Sequence, residues 1–137
     1  MQPTNVRAFK RELENYNFYH TRVKALDELI EYCYHMLGGY KGLDPSKEPI
    51  HNAVPNKDVE YKIRDEIERH TQNKARTQAK IDSIDEILAK LDNERREQIM
   101  AVYVDGKTME TTARKYYVST STLEYQINQA LAKALKD

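Results

Sequence analysis

The sequence predicts an all-α protein, with a long N-terminal helical hairpin or coiled coil followed by a C-terminal helix-turn-helix bundle. Three observations predict it. Apolar residues recur at threes and fours over two long stretches separated by a link rich in proline and glycine. The second of these stretches carries a heptad seam. After Asp92 the long pattern gives way to brief apolar segments divided by turn residues. The expected boundaries are 1–91 for a hairpin and oligomerisation region, with a flexible loop at 38–57, and 92–137 for the helix-turn-helix.

The first stretch runs from about Thr4 to Leu37. Val6, Phe9, Leu13, Tyr16, Tyr19, Val23, Leu26, Ile30, Cys33 and Leu37 mark one helical face, with mostly charged and amide side chains between them. Gly38 and Gly39 are expected to end it, since helices commonly stop at a left-handed glycine. The link that follows holds Pro45, Pro49 and Pro55 and reads as irregular. Its Gly-Gly-Tyr-Lys-Gly run lacks the Gly-Lys-Ser/Thr ending of a phosphate loop.

The third segment, about Asp58 to Leu91, places Ile63, Ile67, His70, Lys74, Thr77, Ile81, Ile84, Leu88 and Leu91 at alternating steps of four and three. That is a coiled-coil seam with a polar middle, which either fixes register and partner number or faces solvent. Neither long helix can bury its stripe alone, so the two are expected to pair as an antiparallel hairpin that also self-associates. Ile63, Ile67, His70, Ile81, Ile84 and Leu88 are the candidate oligomerisation residues.

From Asp92 the local signals change. Asp92 or Asn93 caps a helix carrying Ile99, Met100, Val102 and Tyr103, which ends near the Asp105-Gly106 turn pair. Thr108 caps a short helix from Met109 to about Tyr116. Tyr117-Val118-Ser119 forms a tight turn, and Ser119 or Thr120 caps a last helix whose inner face is Leu123, Ile127, Ala130, Leu131 and Leu135. A short helix, a tight turn and a longer helix form the geometry that lays a recognition helix in the DNA major groove. The outward residues Thr120, Ser121, Glu124, Tyr125 and Asn128 are the candidate base contacts: hydroxyls and amides bond base edges, and a carboxylate accepts from cytosine N4. Arg95, Arg96, Lys107, Arg114, Lys115, Ser119 and Lys133 are the candidate phosphate contacts.

Charge tempers this reading. The chain carries 22 Lys+Arg against 22 Asp+Glu, so no basic field surrounds it, and a single copy is expected to bind a polyanion modestly and with strong salt dependence. A homodimer or higher homo-oligomer joined through the long helices is expected to raise affinity through effective concentration.

The last third also resembles region 4 of bacterial sigma factors. Tyr103, Gly106, Thr108, Ala113, Val118, Ser119, Thr122, Leu123, Ala130, Leu131 and Leu135 match that pattern without gaps. Where the family usually places a leucine-glycine pair before the turn, this chain has Tyr116-Tyr117, and its last helix lacks the family's common arginines. With the N-terminal run Leu13-Glu14-Asn15-Tyr16, the whole layout resembles phage late-gene regulators of the ArpU and RinA type. The resemblance implies a regulator that binds double-stranded DNA near a promoter, contacts host RNA polymerase and activates phage late genes in the bacterial cytoplasm. Two other readings are carried: a small terminase subunit that binds viral DNA for packaging, and a coiled-coil RNA polymerase adaptor.

Other chemistry is not expected. The one cysteine, Cys33, fits a buried structural thiol in a reducing compartment. His20, His35, His51 and His70 are scattered without metal-ligand spacing, so no metal, catalytic residue or cofactor is assigned. No apolar run is long enough for a membrane span.

Overall fold

Asn5 opens the described chain as a helix cap, its side-chain oxygen accepting the Ala8 N–H at 2.7 Å. The computed structural model describes residues 5–41 and 57–137. Its described residues are mostly helical, with no strand among them: α1 (Val6–Glu14), α2 (Tyr16–Lys41), α3 (Lys57–Ala89), α4 (Asn93–Ile99), a π-helical turn (Met100–Val104), α5 (Met109–Lys115) and α6 (Thr120–Lys136). The all-α architecture, with a long helix pair preceding a bundle of shorter helices, is thus the one the sequence predicts.

The first stretch is not one helix. At Asn15 the side-chain amide donates to the Arg11 carbonyl at 3.1 Å, and the Asn15 N–H reaches both Arg11 (3.3 Å) and Glu12 (3.1 Å) carbonyls. A short amide side chain competing for the helix's own acceptors closes α1, and the Asn15 carbonyl then starts α2 by accepting the Tyr19 N–H at 2.9 Å. Nor do Gly38 and Gly39 stop the chain, since α2 runs on to Lys41. Glycine in a helix costs about 1 kcal/mol relative to alanine, which weakens a helix without obliging it to end. Most of the expected loop at 38–57 lies outside the described residues.

Close packing divides the chain into two units, Met1–His20 with Ala79–Asp137, and Thr21–Gln78. In the second, α2 and α3 run antiparallel. Cys33 and Leu37 pack on Ile67 and Ile63, flanked by Met36 and Val59, while Asp27 forms an ion pair with Lys74 further along. The polar middle of the seam therefore faces the partner helix of the same chain. Thr77 is buried and donates its hydroxyl back to the Asn73 carbonyl at 2.9 Å, and His70 is half-buried. Cys33 donates its thiol proton to Glu66 Oε2 at 3.8 Å. Burial pushes this thiol's pKa up, and the Glu66 carboxylate pushes it the same way.

The core of the other unit consists of Phe9, Leu13, Ile81, Ile84, Ile99, Leu123, Ile127 and Leu131, all essentially without solvent contact. Removing a Leu or Ile side chain from such a site to leave Ala costs about 2–5 kcal/mol. Here α1 packs on the π-helical turn and on α6. In the turn the Asp105 N–H reaches the Met100 carbonyl at 2.8 Å. The residues Met100 to Val104 are all half-buried, and the turn also contacts α4 and α5. A regular helix was expected there; the wider turn lets consecutive apolar residues find cover on more than one side. Polar pairs close the rim of the unit: Tyr16 donates to Asp85 (2.5 Å) and Tyr19 to Glu12 (2.7 Å).

The candidate oligomerisation residues Ile63, Ile67, Ile81, Ile84 and Leu88 are buried within the single chain. None of the described helices is long and apolar enough to cross a membrane.

Candidate nucleic-acid interface

Two capped helices and one turn define the site. The Thr108 hydroxyl accepts the Thr111 N–H at 3.0 Å and so opens α5, leaving Thr112 and Ala113 buried. At the other end the Tyr117 N–H bonds the Arg114 carbonyl (3.2 Å) and the Val118 N–H bonds that of Ala113 (3.1 Å). This crossed pair is the Schellman ending, which requires its penultimate residue to be left-handed. Tyr117 takes that conformation with φ 59°, and its side chain is 95% exposed. Ser119 then caps α6, accepting the Thr122 N–H at 3.1 Å. Asp92 caps α4 in the same way, accepting the Arg95 N–H at 2.7 Å.

Helix α6 is two-faced. Leu123, Ile127, Leu131 and Ala134 are buried, whereas Thr120, Ser121, Glu124 and Tyr125 are exposed, Tyr125 by 64%. Four of the five expected base contacts thus share the solvent side of the first turns of α6. Asn128 differs. It is half-buried, and its amide oxygen accepts a 2.5 Å hydrogen bond from the Lys10 ammonium of α1. The same ammonium lies 5.2 Å from the Tyr103 ring centroid, a cation–π contact.

The expected phosphate contacts divide as well. Arg95 donates to Gln98 (2.7 Å) and to Gln126 (3.0 Å), tying α4 to α6. Arg96 donates to the Leu88 and Leu91 carbonyls, both at 2.9 Å, and so adds a charged donor to backbone acceptors at and just past the end of α3. Both guanidinium groups hold the fold together. Lys107 and Lys115 are exposed and line one pocket of about 410 Å³ with Thr111, Tyr116, Asp105 and Glu97. Arg114 is exposed and paired with Glu110 at 2.7 Å, a contact that solvent weakens to less than about 1 kcal/mol. Lys133 is exposed but sits thirteen residues beyond Thr120, some ~20 Å along α6.

Sequence reasoning missed Lys10. Nothing local marks it, because its partner lies 118 residues away. Position gave a signal for Arg96: an arginine just past a helix end can reach that helix's last carbonyls.

Glu97 accepts from Tyr116 at 3.1 Å, and burial followed by this bond pushes the Tyr116 pKa up. That keeps the phenol a neutral donor beside Lys115, whose ammonium lies 5.7 Å from its ring centroid. Comparison with known protein families, with characterised proteins and with solved structures gives no match.

Proposed function

We propose that the chain is a sequence-specific DNA-binding regulator of transcription that reads duplex DNA through the first turns of α6. The observation that carries this reading is the exposed row Thr120, Ser121, Glu124 and Tyr125 on a capped helix whose opposite face is fully buried. Hydroxyls, a carboxylate and a phenol offer both donors and acceptors to base edges. Lys107, Arg114 and Lys115, with the Ser119 hydroxyl, supply the flanking phosphate contacts.

Paired recognition helices require a dimer. The exposed residues Ala25, Leu29 and Tyr32 and the half-buried Met36 repeat at steps of four, three and four on α2. This heptad stripe is the surface we assign to a second copy. On the resemblance to phage late-gene regulators, the target is a late promoter, where the dimer acts with host RNA polymerase.

Selection of bound duplexes from a random pool tests the reading, with Tyr125→Ala as the control. Enrichment of one short motif, lost in the control, supports it. Absence of enrichment at low salt would overturn it in favour of a polymerase adaptor, and a closed ring of many copies in solution would favour a terminase subunit.

A further inference from the structure

Three metal-ligating side chains converge between α2 and α3, well separated in sequence from the helix-turn-helix. Cys33 comes from α2; Glu66 and His70 come from α3, one turn apart and therefore on one face. One ligand atom from each, the Cys33 sulfur, a Glu66 oxygen and a His70 ring nitrogen, lies within 4.8 Å of the other two. Around a tetrahedral zinc ion, with bonds of about 2.0–2.3 Å, such atoms sit about 3.3–3.7 Å apart. The Cys33–Glu66 separation of 3.8 Å is already close to that, so small side-chain rotations complete the site.

We propose that Cys33, Glu66 and His70 bind a zinc-type divalent ion that braces α2 against α3. The donor set selects the metal: a thiolate and an imidazole favour zinc over magnesium or calcium, which prefer oxygen. Three protein ligands leave a fourth position for water. The environment suits the role. Cys33 is buried beside Leu37, Ile63 and Ile67, while Glu66 is exposed and His70 half-buried, which leaves the ion a way in from solvent. A cavity of about 220 Å³ reaches Cys33 and Glu66. A thiol–carboxylate hydrogen bond accounts for Cys33 and Glu66 but gives His70 no reason to join them. Binding breaks the Cys33 S–H bond and releases its proton to solvent. The sulfur pair, a carboxylate oxygen and a neutral imidazole nitrogen then coordinate the ion. Because only the paired helices present all three ligands, the ion stabilises the folded state by mass action.

Titration of the full reduced chain with Co²⁺, followed by displacement with Zn²⁺, tests the site. One equivalent of Co²⁺ should give a thiolate-to-metal charge-transfer band that Zn²⁺ abolishes, and Zn²⁺ should raise the melting temperature. Cys33→Ala should remove the band, and Glu66→Gln and His70→Gln should each weaken binding at least about tenfold. His35→Gln should change nothing. Glu66 is exposed, so Glu66→Gln decides the matter even if Cys33→Ala fails to fold. Absence of the band in the wild-type chain, or unchanged affinity in Glu66→Gln and His70→Gln, would overturn the proposal.

Discussion

The Lys10 ammonium donates to the Asn128 amide oxygen at 2.5 Å, joining the first described helix to the last. An amide expected to read a base is instead half-occupied by a cation from α1, and the pair serves the fold before it serves any ligand.

Lys10→Ala and Asn128→Ala should therefore be coupled in stability. A double-mutant cycle followed by chemical denaturation should return about 0.5–1.5 kcal/mol for this partly buried bond. In DNA binding, Tyr125→Ala should cost about 1–3 kcal/mol and relax sequence preference, whereas Asn128→Ala should have the smaller effect on preference. Equal loss of preference in both variants would show that Asn128 is released from Lys10 on the duplex.

Arg96 and Lys115 should separate stability from binding. Arg96→Ala leaves the Leu88 and Leu91 carbonyls without their charged donor, and should lower stability by about 2 kcal/mol. Lys115→Ala should leave stability within about 0.5 kcal/mol of wild type. It should instead weaken binding to all sequences and reduce the salt slope by about 1. Denaturant midpoints and binding at several salt concentrations check both halves.

Tyr117→Gly should stabilise the chain. The left-handed conformation costs a residue bearing Cβ about 1 kcal/mol, and the exposed Tyr117 side chain recovers little by packing. A gain of about 1 kcal/mol in denaturation, with α5 and α6 unchanged, is the expected result. A loss would mean that the ring makes a stabilising contact in solution.

Stability should fall between pH 10 and 12. Burial, reinforced by hydrogen bonds to Asp85 and Glu12, pushes Tyr16 and Tyr19 each from 10.0 up to about 12. Between those values the unfolded chain loses phenolic protons that the folded chain keeps, so the unfolded state is favoured as pH rises. Below pH 10 this contribution is fully present. Denaturation midpoints for wild type and for the Tyr16→Phe/Tyr19→Phe double variant should converge through this window; parallel curves would refute the assignment.

The features legible in the sequence were those whose cause is local. Asp92, Thr108 and Ser119 cap helices through hydrogen bonds three residues long, so the sequence alone placed the starts of α4, α5 and α6. The seam from Ile63 to Leu91 was legible because a helical stripe needs only its own period. Asn15 was misread because its apolar neighbours kept helical spacing while its side chain competed for the Arg11 carbonyl. Tertiary choices were hidden. Arg95 and Arg96 looked like free cations until α6 and the end of α3 supplied their acceptors. Cys33 and His70, 37 residues apart, meet only because of the register in which α2 and α3 pair.

The discontinuity of one packing unit has a consequence for biosynthesis. Residues up to His20 leave the ribosome well before α6, yet Phe9 and Leu13 find their cover only against elements from the far end of the chain. That unit closes after translation of its C-terminal part, and until then the apolar side of α1 stays exposed to chaperones. The α2–α3 pairing within Thr21–Gln78, with no such wait, can form on the nascent chain.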